Sequence, residues 1–373
     1  MRSARAALAC LLVVAAGIVL VSGGSDGGPT TPPALPGLPP PFLGTAVSGD
    51  GGLTAAVDAY GDVVDLRPGP AGAALIDNPS DRQAAGTVPE DTGIVPRLDG
   101  KATWEADRVT QRYLPGTNVV RTVARFGGRR LEMTAAATGR SLTVSVESRP
   151  QGTPSLGVDV HGIRCARERR ATRLDLICGP AARRPAGGSA GALSRASAKL
   201  VATATREARH WLAGSSPPGG GAPSWAQAMY RRSLLTIHAL TSRATGAVAA
   251  GARDGWAYVW PRDAATAALA LAASGHRAEA RRVARLLTDL DLSAAARFGE
   301  SGAPIPGRAA QGDALGWVTV AARTTGIPAP REPFPWRDRA DYQESSPGDY
   351  LANALAATAD VDGPKSPEIE DFS

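Results

Sequence analysis

Three aromatic side chains and an Arg-Asp pair stand close together in one short stretch: Trp256, Tyr258, Trp260, Arg262 and Asp263. Indole and phenol rings stack on the apolar face of a pyranose, while a guanidinium and a carboxylate hydrogen-bond its hydroxyls. Buried polar groups placed to bond a hydroxyl also reject sugars that lack it. The residue types therefore fit a saccharide grip. Each also has a structural reading. Asp263 can cap the following helix, worth about 1 kcal/mol; Arg262 can pair with a neighbouring carboxylate; aromatic residues are common in cores.

The elements expected to hold this stretch are helices. Ala264–Ser274 is Ala-rich and stops at Gly275, a good helix terminator. In the following segment, Arg277–Leu290, Val283, Leu286, Leu287 and Leu290 form one apolar stripe. Upstream, Ser224 and Gln227 have the spacing of a capping box. They open a helix in which Trp225, Ala228, Met229, Leu235, Ala239 and Leu240 share a broad face. A further helix is expected over 193–213, ending at Gly214, and two more near Asp313–Thr325 and Gly348–Ala359. Successive helices with short connections form antiparallel hairpins, so this half of the chain reads as all-α.

The preceding region, about 42 to 178, has the period of strands. Leu53, Ala55, Val57 and Ala59 alternate, as do Leu142, Val144 and Val146, and Leu156, Val158 and Val160. Such alternation predicts half-buried antiparallel strands, and a β-sandwich is the expected product. Gly127-Gly128 marks a two-residue hairpin between 119–126 and 129–134. Cys165 and Cys178 flank an Arg-rich segment, Arg164–Arg173, that reads as a solvated hairpin tip. In an oxidising compartment the two cysteines would close a short-loop disulfide; two separate buried thiols are the alternative.

Ahead of the strands, Arg2 and Arg5 precede an apolar run, Ala6 to Val21, followed by Ser22-Gly-Gly-Ser. That order is the one found in secretory signals. The run is shorter than the ~20 residues of a bilayer span, which favours cleavage over a retained membrane anchor. Residues 27–41 are mostly Gly, Pro and Thr and read as an extended spacer. The net charge of +6 is spread along the chain among 35 acidic residues. Without a basic helix, an aromatic-studded strand motif or zinc-ligand spacing, nucleic acid is not an expected partner. No metal or cofactor is called for.

Tyr258-Val-Trp-Pro-Arg-Asp-Ala-Ala resembles the Tyr-x-Trp-x-Arg-Asp motif of glycoside hydrolase family 15, which includes glucoamylases, glucodextranases and some bacterial trehalases. Arg232-Ser-Leu-Leu-Thr-Ile-His-Ala-Leu-Thr, then Thr245-Gly-Ala-Val-Ala-Ala, is similar to the helix and loop that precede that motif. Ala264–Leu287 is similar to the two helices after it, and Gln311-Gly-Asp-Ala-Leu-Gly-Trp-Val to a later helix start. The ordered features run over most of residues 42–325. The resemblance implies a β-sandwich joined by a linker helix, containing Trp211, to an (α/α)6 barrel. It gives Arg262 and Asp263 the terminal glucose to hold, with Trp260 and Tyr258 shaping the pocket and Gln311, Asp313 and Trp317 lining the cleft.

Inverting hydrolysis needs a general acid and a general base about 6.5–9.5 Å apart. By the resemblance, Glu344 is the candidate acid, although Gln343 stands where the family usually has an aromatic. No residue is assigned as base. Residues 224–373 number 150, whereas six helical pairs need at least ~200. A partial barrel is therefore expected, with apolar faces that a partner or second copy would cover.

The resulting expectation is an α+β multidomain chain: a signal or anchor over 1–24, a linker over 25–41, an antiparallel β-sandwich over 42–180, a linker with a helix over 181–223, and a partial (α/α)6 barrel over 224–373. Its function would be exported hydrolysis or binding of α-linked glucosides. A carbohydrate-binding pseudoenzyme and an extracellular scaffold are the alternatives.

Overall fold

The computed structural model describes residues 45–77, 93–149, 155–180, 190–216, 221–253 and 256–330. Two antiparallel sheets come first. One has the order β1 (Thr45–Gly49), β2 (Leu53–Asp58), β3 (Val63–Pro68), β5 (Gly93–Leu98) and β11 (Leu156–His161). Short β4 (Ile76–Asp77) pairs with β3, and β6 (Lys101–Ala102) with β5. The other sheet has the order β12 (Cys165–Arg170), β13 (Arg173–Cys178), β10 (Ser141–Arg149), β9 (Arg129–Thr138), β8 (Val120–Phe126) and β7 (Arg108–Tyr113).

The alternation in β10 has a direct structural consequence. Leu142, Val144 and Val146 enter a core with Leu53, Ala55 and Val57 of β2 and Leu66 of β3, so one apolar cluster draws on both sheets. Burying each such side chain contributes about 1.5–3 kcal/mol. Gly127-Gly128 turns β8 into β9 with Phe126 opposite Arg129, and Gly127 takes a positive φ of 57°. Cys165 and Cys178 face each other across β12 and β13 and are joined as a disulfide.

Strand β2 departs from the half-buried expectation, because all six of its residues are buried. Its second face is covered as well. Ala56, with Val47 of β1 and Val64 of β3, packs into a second core with Leu240, Val248, Val259, Leu271 and Phe298. Polar contacts cross the same boundary: Thr54 Oγ1 donates to the Ala239 carbonyl at 3.0 Å, and Asn118 Nδ2 donates to those of Gly49 and Leu235. The approach is close enough to require glycine at Gly51, where a Cβ would lie 2.0 Å from the Thr241 carbonyl oxygen.

Helix α1 (Ala192–Ala213) lies against β9, β10 and β13. Its start is served from another element, since Glu168 of β12 accepts from the Gly191 and Ser194 amides. A carboxylate there also opposes the positive end of the helix dipole. Near the other end, Trp211 is stacked between His238 and His276, with ring centroids 4.2 and 3.7 Å away. Glu279 ties the group together, accepting from Trp211 Nε1 and meeting His238 Nδ1, both at 3.0 Å.

The later helices are α2 (Ser224–Ala239), α3 (Pro261–Ala273), α4 (Arg277–Thr288) and α5 (Ala314–Thr325). α3, α4 and α5 pack on one another, and α2 meets α3. The described residues thus form a β region followed by a helical region. The expected capping box is not made. Pro223 is the N-cap of α2, and Gln227 Nε2 turns back to the Ala222 carbonyl instead. The broad apolar face expected of α2 is also divided: Leu235 and Ala239 are buried, whereas Trp225 and Met229 are exposed. The helix expected near Gly348–Ala359 and the N-terminal segments lie outside the described residues. No helix among the described residues is long and apolar enough to cross a membrane.

Candidate functional site

The aromatic stretch is built as a loop stitched to its neighbours by isolated bridges. Val259 pairs with Ala249 on one side and with Phe298 on the other, and Phe298 pairs with Pro304. Val259 and Phe298 exchange both amide hydrogen bonds at 2.8 Å, and both side chains are fully buried. Two further bonds close the turn before them, from the Ala250 amide to Tyr258 and from the Gly251 amide to Trp256. Alternate residues of this ladder face opposite ways. Burying Ala257 and Val259 therefore sets the register of Trp256, Tyr258 and Trp260.

The three aromatics have different surroundings. Trp256 is 59% exposed and presents the free indole of the site. Trp260 is only 6% exposed, lies 6.0 Å from Trp256 between ring centroids, and carries the Arg308 guanidinium over its ring at 5.4 Å. Tyr258 is partly buried, with the Arg297 guanidinium 4.7 Å from its ring centroid. Arginine over an aromatic face is attractive, and more so when water is excluded. Trp256 is thus the outer surface of a braced stack.

Pro261 occupies the first turn of α3 and Trp260 is its N-cap. The fixed φ of proline suits that first position. Asp263 consequently lies inside the first turn and is exposed, so it is not the capping residue. Its charge still suits the helix N-terminus. Arg262 reaches across to α5, where Nη1 donates to Asp313 Oδ2 at 2.7 Å. Asp313 is 2% exposed, and Trp317 is buried one helical turn further on.

Several polar atoms in this group are buried and have no hydrogen-bond partner among the described residues: Trp260 Nε1, Gln311 Oε1, Asp313 Oδ1 and Trp317 Nε1. Buried polar groups are overwhelmingly satisfied, so each exception calls for a reason. Two are donors and two are acceptors.

Beneath the loop, the first sheet supplies charged supports with no motif to announce them. Arg253 is buried just ahead of the aromatics, and its carbonyl accepts from the Trp256 amide. Its charge acts on Asp58, whose carboxyl burial pushes up to about 6 against backbone hydrogen bonds from Asp62 and Tyr60. Arg67 forks onto Asp65 at 2.8–3.0 Å. Glu300, next to the Phe298 bridge, accepts from the Ala71 amide and the Thr245 hydroxyl at 3.1 Å each. Sequence reasoning missed Arg253, although it stands just ahead of the aromatics, and Arg297, Glu300 and Arg308, whose partners Tyr258, Thr245 and Trp260 are far away in the chain.

The structure therefore groups Trp256, Tyr258, Trp260, Arg262, Asp313 and Trp317, with Gln311 at the approach to α5. Glu344 lies outside the described residues. The Cys165–Cys178 disulfide belongs to the β12–β13 hairpin and is not part of this group. Among the described residues no cluster of three or more His, Cys, Asp or Glu side chains could hold a metal ion.

An exposed indole, a braced aromatic wall and a partly exposed arginine paired with a buried carboxylate thus stand at this loop. Residues 225–293 match the family model described as glycosyl hydrolases family 15. That span includes α2, the aromatic loop, α3 and α4, and so carries the resemblance through Arg262 and Asp263. A search of curated proteins gave no match.

Proposed function

We propose that this chain binds the terminal residue of an α-linked glucoside at the loop 256–263, in the manner of a glycoside hydrolase. The observation that carries this reading is the exposed indole of Trp256, set on the same loop as the partly exposed Arg262 and the exposed Asp263. Trp256 stacks on the sugar. Arg262, held by Asp313, and the exposed Asp263 bond its hydroxyls.

Hydrolysis with inversion would add an acid to protonate the leaving oxygen and a base to activate water on the opposite face. Glu344 is the proposed acid. The base is unassigned. Export is the proposed location, supported by the Cys165–Cys178 disulfide, since such bonds persist in oxidising compartments.

Calorimetric titration with maltose, together with assays of glucose release from maltose, dextran and trehalose, tests the proposal. Binding that Trp256→Ala weakens at least tenfold is expected. Glucose release lost in Glu344→Gln would assign the acid. Binding without release, in wild type as well, would favour a carbohydrate-binding pseudoenzyme. Absence of both would sink the saccharide reading.

A further inference from the structure

The sequence reading found no basic helix, but the solvent face of α1 is basic along its length. Arg195, Lys199, Arg206, Arg209 and His210 are all exposed. At 3.6 residues per turn they fall on one stripe, covering about 22 Å of helix axis. The one acidic residue of the helix, Glu207, turns away from this stripe and accepts from Thr138 Oγ1 at 2.8 Å. Lys199, Arg206 and Arg209 form no ion pair among the described residues; Arg206 donates to Thr203, and Arg209 to the Pro115 carbonyl.

The stripe ends at a cavity of about 350 Å³ between the end of α1 and the start of α2. Arg209 and Arg231 line it, together with Ser215, Gln227 and Tyr230. Tyr230 Oη donates to the Ser216 carbonyl, and Ser215 Oγ meets His276 Nε2, so part of the lining is fixed by hydrogen bonds. Cations along a track, ending in a cavity with two guanidiniums on its wall, suit a linear polyanion rather than a single small anion.

We infer that the α1 stripe and its terminal cavity form a docking track for an acidic polysaccharide. Two other polyanionic surfaces fit less well. Single-stranded nucleic acid is held by aromatic rings that stack on its bases. The track offers no succession of rings: Trp211 is enclosed between His238 and His276, Tyr230 is tied to the Ser216 carbonyl, and only the His210 ring is exposed on the stripe. A helix lying on an anionic membrane inserts its apolar face. That of α1 is committed to the second sheet, where Ser197 Oγ meets Thr143 Oγ1 at 2.6 Å. A sulfated or carboxylated glycan asks for neither stacking nor insertion.

The test titrates the full chain, with excess maltose present to occupy the loop 256–263, with dextran sulfate and with uncharged dextran of equal length at several salt concentrations. Dextran sulfate should bind with an affinity that falls as salt rises. Replacing Lys199 and Arg206 together by Gln should weaken it about tenfold, and should flatten its dependence on salt. Arg323→Gln, on the exposed end of α5, should change nothing, and thermal unfolding checks that each variant is folded. Trp256→Ala should leave dextran sulfate binding intact, so failure here is separable from failure of the glucoside site. Unchanged binding in the double variant, an equal loss in Arg323→Gln, or tighter binding to single-stranded DNA, duplex DNA or anionic vesicles would overturn the inference.

Discussion

Arg262 Nη1 and Asp313 Oδ2 meet at 2.7 Å, joining the first turn of α3 to the residue that opens α5. The carboxylate is almost fully buried, and its other oxygen has no partner among the described residues. Removing the guanidinium would leave a buried charge uncompensated, which typically costs about 3–5 kcal/mol. Because Arg262 is itself partly exposed, Arg262→Ala should lower stability by about 2–3 kcal/mol in urea unfolding. Arg262→Lys should recover most of that stability but not maltose binding, since an ammonium lacks the planar fork. Recovery of both by Lys would mean that the arginine serves only structure.

Trp256 makes the complementary prediction. It is exposed, so Trp256→Ala should change stability by no more than about 0.5 kcal/mol. The same substitution should cost maltose affinity at least tenfold by calorimetry. A large fall in melting temperature would show that the indole supports the loop rather than a ligand.

Asp58 gives a pH dependence. Its folded carboxyl titrates near 6, above the ordinary value of 3.8, so the folded chain holds this proton more tightly than the unfolded chain. The associated stability is fully present below about pH 4 and is lost as pH rises through 6. It amounts to about 3 kcal/mol. Asp58→Asn keeps an oxygen for the Tyr60 and Asp62 amides but cannot ionise. The wild-type minus variant difference in unfolding free energy, measured from pH 4 to 7.5, should therefore decline with pH. A flat difference would rule this out.

Gly69 has a φ of 84°, and a Cβ there would lie 2.7 Å from the Glu300 carboxyl group. Gly69→Ala should push Glu300 off both the Ala71 amide and the Thr245 hydroxyl. A loss of about 1–3 kcal/mol is expected from the strained backbone and the broken contacts. Weaker maltose binding should follow, although Gly69 belongs to the β region. Denaturant unfolding and calorimetry on the same variant check both parts.

The legible parts of this fold are those governed by local period. The alternation of Leu142, Val144 and Val146 and the Gly127-Gly128 turn led directly to β10 and the β8–β9 hairpin, as Gly275 led to the end of α3. Features decided by tertiary packing were not legible. β2 is buried on both faces because Ala56 is small enough to accept Val259 and Phe298 into the same core. The Ser224 spacing was overruled by Pro223, already placed to begin α2, and Asp263 lost the cap position to Trp260 because Pro261 starts the helix one turn earlier than a cap at 263 requires. In the candidate site, the aromatic loop stood out by composition. The braces on it came from Arg297 and Arg308, which no spacing rule connects to Tyr258 and Trp260.

A sheet with apolar residues on both faces also bears on how this chain can be taken apart. Val47, Ala56 and Val64 are held in common by the strands and by the helices that follow. The change of secondary structure visible in the sequence is thus bridged by one shared apolar cluster. A β fragment cut from its helices would carry a bare hydrophobic face into water, with self-adhesion the natural outcome. The loop 256–263, in turn, would lose its floor. The two regions should melt together in one calorimetric transition, as a single inheritable unit rather than as exchangeable modules.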